Sequence, residues 1–172
     1  MRVERDQQVL PDVLDRGLGI VFVGTAAGDR SAARRAYYAG PGNRFWATLG
    51  EIGLTPRRFE PSEFPLLLEH GIGLTDIAKF THGTDSRLRG DDYDICGFLD
   101  KVRLFSPRFV AFNGKLAASK CYGCSTGVLS YGRQPGTLES AAAYVLPSTS
   151  GAAGGYWDVS YWCELASADE AR

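Results

Sequence analysis

The sequence has no apolar run approaching the roughly 20 residues that cross a bilayer, which excludes a helical membrane span. Its opening, MRVERDQQVLPD, is charged at once and lacks the apolar middle of a secretory signal, so an intracellular, cytoplasmic protein is expected. An excess of one charge sign is missing too. The formal net charge is −1, and bulk electrostatics therefore gives no pointer to nucleic acid. That does not exclude such a partner, because only the field at a cleft must be positive to attract phosphates.

Histidine is scarce, with His70 and His82 alone, and carboxylates form no dense cluster. A Gly-x-x-x-x-Gly-Lys phosphate cradle, internal repeats and low-complexity linkers are all absent. The four cysteines include one Cys-x-x-Cys pair, Cys121 and Cys124. This pair suits a redox centre, or half of a metal site completed by Cys96 and Cys163. Reduced thiols without a ligand are the default inside a cell, and neither metal nor cofactor is expected.

What remains is an ordinary globular composition, 44% hydrophobic and 23% charged, in 172 residues. That length suits a single domain over residues 1–172. Leu18–Val23 reads as a buried strand that ends at Gly24 and opens a small-residue loop, Gly24–Gly28. Asn43 stands ahead of a helical pattern (Phe45, Trp46, Leu49, Ile52) that stops at Gly53. A short helix follows at Pro61–Glu69, then a strand at Gly71–Ile77 that delivers Thr75 and Asp76 to its end. Thr81–Asp91 reads as an exposed loop and Tyr93–Phe105 as a helix. Phe109–Phe112 is a second buried strand, followed by a helix at Lys115–Cys121. Ala142–Leu146 is a further strand, and Tyr156 to about Ala168 a terminal helix. The alternation fits α/β architecture with helices on both faces of a mainly parallel sheet.

Ligands of open parallel sheets bind outside the carboxyl ends of the strands. This topology gathers Gly24–Gly28, Thr75–Asp76, Asn113–Gly114–Lys115 and Ser148–Gly151 into one pocket. No histidine or lysine is placed to activate the serines. Backbone amides, an asparagine amide, hydroxyls, an aromatic and an aspartate suit the reading of a flat polar ring by hydrogen bonds and stacking. Arg30, Arg34, Arg35 and Arg44 fall within one stretch and fit either a solvated helix face or a phosphate-facing one.

These residues resemble a family. GTAAGDRSAARRAYYAGPGNRFW, Gly24–Trp46, resembles the first motif region of mismatch-specific uracil- and thymine-DNA glycosylases. In those enzymes the region begins Gly-Ile-Asn-Pro-Gly and closes on Pro-x-Asn-Arg-Phe-Trp. The segments GIGLTDI, AFNGK, YGRQP and VLPSTSG resemble later landmarks of the uracil-DNA glycosylase superfamily, in the same order, across about Leu18 to Gly151. YYAGPGN also resembles relatives that remove hypoxanthine.

The resemblance implies a three-layer α/β/α sandwich around a four-stranded, mainly parallel sheet. It also implies a monomeric, metal-independent enzyme that flips a deaminated or mismatched base from DNA and hydrolyses its N-glycosidic bond. By that likeness Tyr38 takes the place of the stacking aromatic, although a core role suits it too. Thr25, Ala26 and Gly28 would contact the base through backbone amides. Asn113 would meet a base edge or a neighbouring loop, or serve as a turn residue. Ser148, Thr149, Ser150, Gly151 and Ala152, with Lys115, would contact the DNA. Ala152 and Ala153 stand where a larger wedge is expected, which favours bases that extrude at little cost.

Ala26 replaces the asparagine that positions the attacking water in the family. Asp76 is the first substitute, Asn43 the second and Asp29 the third. The plain alternatives are a turn carboxylate, a helix cap and a capping or solvent-facing residue respectively. A recognition module without activity is the competing function, and a nucleotide-binding loop at Gly24–Gly28 is disfavoured by its spacing.

Overall fold

The computed structural model describes residues 7–171. The start of the chain to Asp6, part of the segment read above as unlike a secretory signal, lies outside the described residues. Five strands, β1 (Ile20–Ala27), β2 (Ile72–His82), β3 (Phe109–Asn113), β4 (Gly132–Arg133) and β5 (Ala142–Leu146), form one sheet in the order β2-β1-β3-β5-β4. The first four of that order run parallel, and β4 is antiparallel to β5.

Successive strand side chains alternate between the two faces, and both faces are buried. Ile20, Phe22, Ile72, Leu74 and Leu146 enter one apolar layer with Phe45, Trp46 and Leu49 of α2 (Phe45–Glu51) and Trp162 and Leu165 of α5 (Ser160–Glu170). Val21, Val23, Ile77, Val110 and Val145 enter the other with Phe98 and Val102 of α3 (Ile95–Phe105) and Ala117 and Ala118 of α4 (Lys115–Tyr122). Burial on both faces is why the strands read as unbroken apolar runs. Three layers result, as expected. Among the described residues no helix is long and apolar enough to cross a membrane.

Several boundaries differ from the sequence reading. The sheet has five strands, not four, because Gly132 and Arg133 pair with Val145 and Tyr144 in a piece too short to carry a hydrophobic period. β1 continues through Thr25 and Ala26 to Ala27, so the expected glycine loop shrinks to Gly28, which opens the short helix α1 (Asp29–Arg34). β2 extends five residues past Ile77. The strand holds a lysine within it: 3% exposed Lys79 forms an ion pair with Asp12 at 3.0 Å, and its carbonyl accepts from the Val9 amide at 2.8 Å. Asp76 therefore sits inside the strand rather than at its tip. The segment from Val9 to Val13 also covers the outer edge of β2, with Val13 and Leu74 exchanging two backbone bonds of 2.9 Å.

Downstream, Gly151–Tyr156 coils into a 3₁₀ turn, and α5 begins only at Ser160, whose amide donates to the Asp158 carboxylate at 2.9 Å. The segment at Pro61–His70 is also 3₁₀ rather than α, with Pro65 inside it. Cys96 lies on α3 and Cys163 on α5, on opposite faces of the sheet. No group of three or more His, Cys, Asp or Glu among the described residues is arranged to hold a metal.

Candidate active site

The β1–β2 register sets Gly24 opposite Asp76. A Cβ on residue 24 would collide with Asp76 Oδ1 and lie 3.3 Å from the Tyr38 hydroxyl, so the missing side chain makes the space that the carboxylate fills. Asp76 is only 4% exposed and makes no side-chain hydrogen bond or ion pair with any described residue. Burial pushes its carboxyl up to about 6, opposed by Lys79 and reinforced by Asp12.

Beside it lies a second, partly buried charge group. Asp12 accepts from Thr75 Oγ1 at 2.7 Å and pairs with Lys79 Nζ at 3.0 Å and Lys101 Nζ, from α3, at 2.6 Å. Burial opposes the ionisation of Asp12, yet Lys79 and the bonds from Lys101 and Thr75 hold its carboxyl below the ordinary value. Lys79 Nζ also donates to the Tyr37 hydroxyl at 2.8 Å, which donates onward to Pro11 O at 3.0 Å. Two ammonium groups stand against one carboxylate in this cluster. Its charge closes to zero when Asp76 is ionised, which limits the penalty of burying that charge.

Tyr38 has φ 52°, a left-handed conformation that is strained for a non-glycine residue. Its ring packs on Phe45 with centroids 4.1 Å apart and planes 30° apart. Its hydroxyl is buried without a partner of hydrogen-bonding geometry, and its ionisation is driven far above the usual range by burial and by Asp76. Asn43 stands one residue before the N-cap of α2: its Oδ1 accepts from the Phe45 amide at 3.0 Å, and its NH₂ bonds to no described residue. Tyr38 and Asn43 line one cleft of about 280 Å³ together with Arg30, Arg34, Arg58 and Trp46. Those three arginines have no carboxylate partner among the described residues, unlike Arg57, Arg87, Arg103 and Arg108.

The opposite side of α1 faces a larger, shallower cleft, and Asp29 belongs there with Ala32, Ala33 and His82. Half-exposed Asp29 accepts from His82 Nδ1 at 3.0 Å and Arg87 Nη1 at 3.2 Å. The fold thus joins Tyr38 and Asn43 in one cleft, sets Tyr38 beside Asp76, and leaves Asp29 outside. Thr25 and Ala26 are half-buried within β1, and exposed Gly28 caps α1.

Asn113, at the end of β3, reaches the neighbouring loop. Its Oδ1 accepts from the Thr149 amide at 3.0 Å and its Nδ2 donates to Thr149 Oγ1 at 2.9 Å. Thr149 is fully buried, so its side chain fastens the loop and is not presented to a partner. The Arg44 amide donates to Thr149 O at 2.9 Å, and a Cβ on Gly151 would come within 3.4 Å of the Pro41 and Gly42 carbonyls. These contacts lay the Ser148–Gly151 loop against the Asn43 loop. Ser148 and Ser150 remain half-buried beside exposed Gly151 and Ala152, while Lys115, at the start of α4, holds its ammonium 4.6 Å from the Tyr131 ring centroid. Asp12, Lys79, Lys101 and Arg58 were not anticipated. Lysine within an apolar strand is the one signal the sequence offers for them.

A family model described as the uracil DNA glycosylase superfamily matches residues 11–165, a span that includes every group just placed. Among solved structures, the chain is similar to one from Methanosarcina acetivorans, provisionally assigned as a uracil DNA glycosylase and determined by solution NMR. The two share 25% identity over 94% of this chain and 96% of that one, with a TM-score of 0.62. The parallel sheet and the extent of the match converge. The chain belongs to the uracil-DNA glycosylase superfamily and carries the framework of a DNA glycosylase.

Proposed function

We propose that the protein is a monofunctional glycosylase that removes uracil, or a related deaminated base, from DNA by hydrolysing the N-glycosidic bond. The observation that carries this reading is the buried Asp76 carboxylate, unpaired among the described residues, beside the Tyr38 hydroxyl. The cleft is slightly smaller than drug-sized pockets of roughly 300–1,000 Å³, in keeping with one flat base.

In this reading the flipped base stacks on Tyr38, whose other packing partner is Phe45. The Asn43 NH₂ and the backbone amides near Thr25, Ala26 and Gly28 donate to base carbonyls. Arg30, Arg34 and Arg58 attract the phosphates, and the Ser148 and Ser150 hydroxyls beside Gly151 and Ala152 contact the strand. As the C1′–N bond breaks, its electron pair leaves with the base and the sugar becomes cationic. Ionised Asp76 stabilises that cation and accepts a proton from the water that bonds to C1′, standing in for the side chain that Ala26 lacks. A carboxyl that titrates near 6 is ionised at neutral pH and basic enough for this role. One chain supplies all of these groups, so a monomer suffices, acting wherever the cell keeps its DNA.

The test is cleavage of end-labelled oligonucleotides, each with one uracil, hypoxanthine or thymine, single-stranded and opposite each base. Alkali-sensitive breaks at uracil support the reading. Breaks at hypoxanthine alone would place the chain with that branch. Tight binding without breaks would favour a recognition module, with Ala26 as its cause.

A further inference from the structure

Tyr37 and Tyr38 are consecutive, and their hydroxyls differ in one respect. The Tyr37 hydroxyl accepts from Lys79 Nζ at 2.8 Å and donates to Pro11 O at 3.0 Å. The Tyr38 hydroxyl is also buried, yet no group among the described residues completes a hydrogen bond with it. Asn113 is near enough to act on it, but both polar atoms of that side chain bond to Thr149. A buried hydroxyl without a partner lowers stability, and phenylalanine would pack on Phe45 through the same ring without that loss. A core role or a stacking role accounts for the Tyr38 ring. Neither accounts for its oxygen.

The backbone holds this oxygen in place under strain. Tyr38 keeps φ 52° while the residues on either side are pinned. The Tyr37 carbonyl accepts from Trp46 Nε1 at 3.0 Å, and the Ala39 amide donates to Ser31 Oγ at 3.0 Å, both bonds being buried. Strain that the surroundings over-determine in this way clusters at functional positions. Here it carries the hydroxyl to Gly24. The position that a Cβ on Gly24 would take lies 3.3 Å from the Tyr38 oxygen and still closer to Asp76 Oδ1. A hydroxyl and a carboxylate thus flank one point, and two hydrogen bonds of about 2.8 Å each let a single water join them.

The two groups are complementary. An ionised carboxylate only accepts, whereas the Tyr38 hydroxyl keeps its proton because burial and Asp76 both oppose its ionisation. We propose that the Tyr38 hydroxyl is a second catalytic group, which donates to the oxygen of the attacking water while that water donates to Asp76. Held from two sides, the water turns its remaining lone pair toward C1′. The C1′–N bond breaks with its electron pair on the base, the water oxygen bonds to C1′, and the water proton passes to Asp76. Tyr38 keeps its own proton throughout. This role rests on the glycosylase reading and adds to it a task for the hydroxyl, separate from stacking by the ring.

The experiment is single-turnover cleavage by wild type and Tyr38→Phe of an oligonucleotide carrying the base that wild type releases fastest, with binding measured in parallel. The variant keeps the ring, so affinity should stay within about twofold while the rate falls about ten- to a hundredfold, the scale of a misplaced reacting group. Its melting temperature should equal or exceed that of wild type, because an unpartnered buried hydroxyl has been removed. A hydroxyl that serves only the fold predicts the reverse, a lower melting temperature with the rate unchanged. Wild-type rates in Tyr38→Phe, or a loss traced wholly to weaker binding, would overturn the proposal and leave the Asp76 assignment standing. Cleavage of no base by wild type would overturn the glycosylase reading, and this role with it.

Discussion

Gly24 and Asp76 face each other across β1 and β2, and the Asp76 carboxylate occupies the space that a side chain on residue 24 would fill. Gly24→Ala should therefore act on the reaction more than on the fold. The added methyl overpacks a buried site, at about 1–3 kcal/mol, and pushes the carboxylate from its position. The single-turnover rate should fall about a hundredfold, the scale of an ångström-level misplacement. Thermal unfolding and single-turnover cleavage of the best substrate measure the two effects.

Asp76→Asn should stabilise the protein while inactivating it. The folded-state carboxyl titrates near 6, above its ordinary 3.8, so between those values the folded state binds more protons than the unfolded one. Stability from this group is therefore present below about pH 4 and lost as pH rises through 6. At pH 7.5 wild type carries a penalty of about 3 kcal/mol that the neutral asparagine avoids. The melting temperature of Asp76→Asn should exceed that of wild type at pH 7.5, with the gap closing toward pH 4.

The same titration sets the acid limb of activity near pH 6. The charged groups that act on Asp76 are Lys79 on its own strand, Asp12 on the edge segment and Lys101 on α3, while Asp76 in turn opposes the ionisation of Tyr37 and Tyr38. Lys101→Gln removes a cation that favours the ionised form, so the acid limb should move to higher pH. Asp12→Asn should move it lower. Lys79→Met should move it up as well, but it breaks a buried pair and should cost roughly 3–5 kcal/mol of stability. The partly exposed Lys101 is accordingly the cleaner probe, read by kcat/KM against pH.

Thr149 and Arg34 separate loop anchoring from DNA contact. Thr149→Val leaves the buried Asn113 NH₂ without its hydroxyl partner, at about 1–3 kcal/mol, and should leave the salt dependence of DNA binding unchanged. Arg34→Gln should leave stability alone and reduce the slope of log K against log salt by about 1. Urea unfolding and a salt titration of binding check the pair.

Much of this was legible in the sequence, for identifiable reasons. Val21–Val23, Val110–Phe112 and Tyr144–Leu146 are buried on both faces, so their composition alone marks strands of a covered parallel sheet. The cleft of Tyr38 and Asn43 is lined by residues between 30 and 61 and not by the strand ends that the topology was expected to gather. Lys79 was illegible because its partner, Asp12, is more than sixty residues away and no local pattern announces the pairing. Ending the strand at Ile77 put Asp76 at a tip it does not occupy, because β2 runs on to His82. Thr149 resembled an available hydroxyl until Asn113, on another strand, was found bonded to both its amide and its side chain. Asp29 sat near the motif in sequence, yet α1 turns it toward His82 and Arg87.

The most direct measurement is single-turnover cleavage of a uracil-containing single strand by wild type and Asp76→Asn at pH 7.5. Binding of the same oligonucleotide is measured in parallel. The account predicts abasic sites with wild type, a loss of about a hundredfold or more in the variant, and affinity unchanged within about twofold. Wild-type rates in Asp76→Asn would contradict the assignment of the water-activating role to this carboxylate.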